Sequence, residues 1–151
     1  MKKQILSIVA TLTLIIPMAI IGFAGLTCRV SANIPFDFFV GNKEFKAGKY
    51  SVDRLSPNNT AGTLVIRSAD SGAAANFNVN GVTGKGDQQP SLVFRRYGNQ
   101  YFLAKIFDGQ SREGYGLLKS KTEREVAKKS DTITQVVVEP ETVTVAAQIG
   151  R

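Results

Sequence analysis

Apolar and polar residues alternate through "IPFDFFVGN", with Ile34, Phe36, Phe38 and Val40 on one side. Period-two alternation places every second side chain on one face of a strand. Val30 and Ala32 continue the same phase, so the pattern predicts one long strand starting near Arg29. Pro35 sits inside it, and a proline cannot donate to a ladder, so this strand belongs at an edge or a bulge. Asp37 and Phe39 fall on the opposite face.

The same period recurs every 10–14 residues, bounded by turn residues. Gly41-Asn42 and Ala47-Gly48 punctuate the chain before a strand through Tyr50, Val52 and Arg54. "TLVIRS" follows the loop "SPNNTAG", and "AAANFNVN" sets Ala75, Phe77 and Val79 against Asn76, Asn78 and Asn80. Near the C-terminus "TITQVVV" and "TVTVAAQIG" read as two further strands, the last with Val143, Val145, Ala147 and Ile149 on one face.

"SLVFRRYGNQYFLAKIFDG" is the clearest hairpin. A two-residue loop, Gly98-Asn99, would set Arg95 opposite Phe102. A three-residue loop would set Phe94 opposite Ala104 and Leu92 opposite Ile106. The second gathers Leu92, Phe94, Phe102, Ala104 and Ile106 on one dry face, and register follows the dry face. It leaves Arg95, Tyr97, Tyr101, Leu103 and Lys105 on the other face.

One helix interrupts the β pattern. In "SKTEREVAKK", Ser120 is the N-cap and Glu123 the N3 residue of a capping box. Lys121–Glu125 and Glu125–Lys129 are i,i+4 pairs. The apolar side is thin, Val126 and Ala127, which predicts a lid of two to three turns on one side of a sheet. The expected fold is all-β, an antiparallel barrel or sandwich of about eight strands with one short helix near the C-terminus. Pairing of the first strand with the last would hide two edges and favours a barrel.

Residues 1–24 read as a signal peptide. Lys2 and Lys3 precede a long apolar run from Ile5 to Ile21, followed by small residues. The small-x-small rule fits a cut after Ala24, which preserves the first strand, or one as late as Ala32. An uncleaved anchor is the alternative, and it too leaves the domain of residues 25–151 outside. Lipidation of Cys28 fits poorly, because Gly25 and Thr27 stand where a lipobox wants Leu and a small residue. The expected location is secreted or periplasmic, in the cell envelope.

Composition narrows the chemistry. Of 151 residues, 43% are hydrophobic and 21% charged, the balance of a globular chain with a core. There is no histidine and one cysteine, so Ser-His-Asp and Cys-His catalysis, Cys/His zinc sites and an internal disulfide are all excluded. Formal net charge is +7, falling to +5 without Lys2 and Lys3, which suits anionic envelope partners or simply solubility.

The remaining motifs are weak. "GVTGKGD" lacks the spacing and the Ser or Thr of a Walker loop. Asp37, Asp53 and Asp108 could serve a carboxylate-dependent hydrolase only if two of them flank a sugar-sized cleft. Ser120 and Lys121 suggest a dyad, but capping already accounts for Ser120. Arg95, Tyr97, Tyr101 and Lys105 form a candidate binding face, where rings could stack on sugars. Cross-strand pairing of Tyr97 and Tyr101 explains the same residues without a ligand.

"IPFDFFVGN…AGKYSV" resembles the opening of a family of small secreted bacterial β-proteins of unassigned function. The matching residues are Ile34, Pro35, Phe36, Phe38, Val40 and Gly41, then Ala47, Gly48 and Tyr50. The later hairpin is similar at Phe94, Arg96, Tyr97, Gly98, Tyr101 and Phe102, and the helix start at Lys119, Ser120, Glu123, Arg124 and Glu125. Lys46 stands where that family tends to have proline. The resemblance implies export and a shared β fold, and no activity.

The expectation is therefore an exported, non-enzymatic β-domain with a structural or interaction role in the bacterial envelope. Envelope polysaccharide or lipid is the expected partner, with no nucleic acid, cofactor or metal. The main alternative is a barrel carrying a small apolar ligand or lipid.

Overall fold

The computed structural model describes residues 29–55, 62–84, 89–134 and 139–150. The expected signal peptide and Cys28 lie outside them, as do Lys85 to Asp87 of the glycine-rich loop and most of "TITQVVV". The chain forms two packed sheets with one helix, and the sheets are not closed into a barrel. The five-stranded sheet has β1 (Arg29–Ile34), β4 (Gly48–Arg54), β5 (Thr63–Ser68), β6 (Ala74–Asn78) and β12 (Gln148–Gly150), in the order β12-β1-β4-β5-β6. The seven-stranded sheet runs β11-β8-β9-β10-β7, built from β7 (Asn80–Thr83), β8 (Ser91–Tyr97), β9 (Gln100–Phe107), β10 (Glu113–Gly116) and β11 (Glu141–Ala146). Its last two strands are β2 (Phe38–Val40) and β3 (Lys43–Phe45). They attach beside β9 through one parallel pair, Phe39 with Phe102.

Three of the expected strands turn corners between the sheets, β3 and β10 are strands beyond the expected ones, and Thr132–Thr134, expected to begin a strand, continue the helix. Ile34 ends β1 in one sheet and Phe38 begins β2 in the other, so the predicted first strand breaks at Pro35–Asp37. A residue with no N–H and a fixed φ fits where pairing must stop. β6 passes into β7 at Val79, whose N–H donates to Gly62 O at 2.8 Å. β11 passes into β12 at Ala147, whose N–H donates to Pro90 O at 2.9 Å. The first and last strands do pair, Val30 with Ile149 and Ser31 with Gln148. Closure nevertheless fails, because β11 turns away to β8 and leaves one side of Ala32–Ile34 without a strand neighbour among the described residues.

The inward faces fill the space between the sheets. Phe38, Phe94, Ile34, Ile66, Leu92 and Ile106 are fully buried there. Val143, Val145 and Ala147 pack against them, as their alternation predicts, while Ile149 stays exposed. Tyr50 Oη donates to the carbonyl of Lys46, four residues upstream, at 2.6 Å. This contact is a tyrosine corner, which pins the turn into β4. In β10, "EGYG", the glycines make room for neighbours: a Cβ on Gly114 would sit 2.5 Å from the Phe107 ring.

The hairpin departs from the expected register. Tyr97 pairs with Gln100, so the loop is the two-residue Gly98-Asn99, and Arg95 faces Phe102. Gly98 has φ +59°, the left-handed conformation such a tight loop requires. Further along, Leu92 does face Ile106, as the three-residue register predicts. A bulge between Val93 and Phe94 reconciles the two registers. Val93 faces Lys105 and Phe94 faces Leu103, leaving Ala104 unopposed. The extra residue flips the alternation. Leu103 enters the core, while Phe102 and Ala104 turn to the outer face, also buried.

The helix covers that outer face. α1 (Lys121–Thr134) has 14 residues, about four turns rather than two to three. Ser120 Oγ accepts the N–H of Glu123 at 3.1 Å, as an N-cap should. Asn42 Oδ1, in the β2–β3 turn, accepts both the N–H and the hydroxyl of Thr122 at 3.3 and 3.1 Å. These bonds satisfy donors that a helix start leaves open.

Candidate functional site

The four residues expected to share one binding face go to three places. Arg95 and Tyr97 lie beneath α1. The Arg95 guanidinium holds the Glu123 carboxylate through Nε to Oε1 and through Nη2 to Oε2, the latter at 3.0 Å. Tyr97 Oη donates to Oε1 at 3.2 Å, and Arg95 Nη2 also reaches Leu117 O at 3.4 Å. Glu123 is 2% exposed and the Arg95 side chain 18%. This is a two-pronged ion pair out of water, fastening helix to sheet. Glu123 is thus only half of a capping box, because its carboxylate reaches the sheet rather than the helix start.

Tyr101 faces the opposite way, at the rim of the inter-sheet space. Its ring stacks on Phe36 at 3.9 Å, and Phe36 meets Phe94 edge-on at 5.2 Å. Arg96 lies over Tyr101 at 5.5 Å, pairs with Glu141 at 3.2 Å and donates to Gly98 O at 2.8 Å. Glu141, Arg96 and Tyr101 form one cross-strand row over three strands. A single uninterrupted register through the hairpin places Tyr101 on the same face as Arg95 and leaves Arg96 out, whereas the bulged register sets Arg96 opposite Tyr101. Lys105 stands apart, exposed on the outer face beyond the bulge, opposite Val93 and Gly116.

The acids are engaged separately. Asp37 Oδ1 accepts the Ala47 N–H at 2.8 Å and Oδ2 takes the Lys46 ammonium at 2.9 Å. Lys46 also holds Glu44 at 2.8 Å. The hydrogen bond from Lys46 and that from Ala47 hold the Asp37 carboxyl below the usual range. The partners Glu44 and Asp37 raise the Lys46 ammonium above its ordinary value. Burial pushes the Tyr50 phenol up. Asp53 is buried at 5% exposure with Arg67 Nη1 3.4 Å away, and Asp108 Oδ1 accepts the Gln110 N–H at 3.0 Å. Asp53 and Asp108 do border one pocket, with Arg54 and Tyr115, but its volume is about 10 Å³. That admits a water and not a sugar ring. Among the described residues no three His, Cys, Asp or Glu side chains gather as for a metal.

Because Asp37 is depressed, its contribution is present above the carboxylate's unfolded pKa, near 4. It is lost as pH falls through the lower folded value. Melting temperature measured from pH 5 to pH 2 should fall more steeply for the natural chain than for Asp37→Asn. The difference should shrink in high salt, since this pair is exposed.

An open concavity lies at the seam where β11 leaves β1. It has a volume of about 460 Å³, is open to solvent, and is lined by residues including Ser31, Asn33, Lys49, Ser51, Ala146 and Gln148. Hydroxyl, amide and ammonium groups thus project from adjacent strands that hold them in register: Ser31 pairs with both Gln148 and Ser51, and Asn33 with Lys49. A second open hollow of about 280 Å³ lies between the hairpin tip and α1, bordered by Arg96, Tyr97, Ser130 and Glu141. The seam's lining holds no carboxylate, while the hollow's includes Glu139 and Glu141, with Glu141 held by Arg96 at 3.2 Å and the Ser130 hydroxyl donating to Val126 O at 3.1 Å. No family model, curated protein or solved structure matches this chain, so the resemblance in its motifs stands on those residues alone.

Proposed function

We propose that this chain is an exported, non-enzymatic β-module that binds polysaccharide of the bacterial envelope through the polar seam between β1 and β11. The observation that carries the reading is the seam itself, an open groove whose polar groups sit on paired strands. Rigid donors and acceptors suit a hydroxyl-rich chain, because little ordering is lost on binding. The N-terminal segment supports export. A cut after Ala24 leaves β1 whole, whereas a cut after Ala32 would remove Arg29, Val30 and Ser31 from the pairing with β12 and Val30, Ser31 and Ala32 from the pairing with β4. A carrier role finds less support, since large side chains fill the space between the sheets.

Purified protein should sediment with insoluble cell-wall material. Asn33→Ala, Lys49→Ala and Gln148→Ala together should weaken retention by about ten- to a thousandfold, at about 0.5–1.5 kcal/mol per lost hydrogen bond. Their melting temperature should stay near that of the natural chain, because Asn33, Lys49 and Gln148 are exposed. Undiminished retention of a folded triple variant would rule the seam out.

A further inference from the structure

The turn from β10 into α1 presents an apolar tip among cations. Leu118 is 78% exposed, more than any other large hydrophobic residue described. Lys119, Lys121 and Arg124 are exposed around it in sequence, and Lys105 stands on the same outer face, paired with Gly116 two residues before Leu118. Of the acids nearby, Glu123 is occupied by Arg95, and Glu125 is exposed.

The tip is rigidly mounted. On one side Leu117 is buried, and its N–H donates to Ala104 O at 2.8 Å. On the other, Ser120 caps the helix and the Arg95–Glu123 pair fastens it. The exposure of Leu118 is therefore held by structure on both flanks. The cations are also misplaced for the helix. Lys119, Lys121 and Arg124 crowd its N-terminus, the positive end of the macrodipole, where acids are favoured. A local rule broken without a compensating contact points to an outside partner. Lys119 finds the face of the Tyr97 ring at 5.8 Å, and that contact leaves its charge uncancelled.

We infer that this corner docks on an anionic phospholipid surface, with Leu118 entering the headgroup boundary and Lys105, Lys119, Lys121 and Arg124 meeting the lipid charge. An exposed apolar residue with exposed cations beside it in the chain suits an interface that is apolar below and negative above. A soluble polyanion offers Leu118 nothing to enter. The inference concerns a different surface from the seam, and neither depends on the other.

The chain has no tryptophan, so Leu118→Trp supplies a single fluorophore at the tip. In the full chain, its emission should move to shorter wavelength with vesicles containing phosphatidylglycerol. It should not move with phosphatidylcholine vesicles, and the shift should reverse in 1 M salt, where screening acts within about 3 Å. Adding Lys119→Glu and Lys121→Glu should abolish it. Ile149→Trp, on β12 of the other sheet, should show no shift. Four results would overturn the inference. They are no shift at position 118, an equal shift at position 149, a shift with neutral vesicles, and a shift with soluble acidic polysaccharide but not with vesicles. An equal shift at 149 would mean adsorption through the apolar N-terminal segment.

Discussion

Glu123→Ala should lower stability by about 3–5 kcal/mol, because it strands the Arg95 charge beneath the helix. The lower end applies, since the Arg95 side chain keeps 18% of its exposure and can draw in some water. Tyr97 Oη loses its acceptor in the same change. At roughly 4 °C per kcal/mol for a domain of this size, the melting temperature should fall by about 12 °C. Replacing both partners, Arg95→Met with Glu123→Leu, should cost much less, because no charge is then left buried alone. Calorimetry on the three proteins decides the matter. If the double variant is no better than Glu123→Ala, the lost stability comes from packing and not from the stranded cation.

Phe38→Ala should cost about 3–5 kcal/mol, the range for emptying a large aromatic site in a core. Phe38 is 0% exposed and meets the rings of Tyr50, Phe94 and Phe45 at 5.0, 5.5 and 5.6 Å. Those rings come from β4, β8 and β3 and Phe38 itself from β2, so the residue joins both sheets. The urea midpoint should drop by about 2 M. Phe36→Ala should cost less, because Phe36 lies half-buried at the rim. Equal costs would mean that the rim stack, and not the inter-sheet core, carries the packing.

The β class of this fold was legible in period-two alternation, which the backbone itself imposes on any half-buried strand. Val143, Val145 and Ala147 lie against the core as their spacing predicts, and Ser120 caps the helix as its motif predicts. The candidate binding face was not legible. Its prediction assumed an unbroken register through the hairpin, and a single extra residue at Ala104 moved Phe102 from the core to the underside of the helix. A bulge has no necessary local signature when both faces of a strand are covered. The sequence Phe102, Leu103, Ala104 is apolar throughout, so alternation could not report which way each residue points.

The sequence by itself determined the strand periodicity, the capped helix, the proline at which the first strand must stop pairing, and the exclusion of histidine-dependent chemistry. Those depend on neighbouring residues and on which side chains exist. Only the tertiary structure decided that the first strand splits between two sheets and that the seam beside β11 stays open. It also decided that Glu123 turns from its own helix start to Arg95. Each of these joins groups far apart along the chain, and the joining is governed by burial and charge pairing across space, which local pattern does not encode.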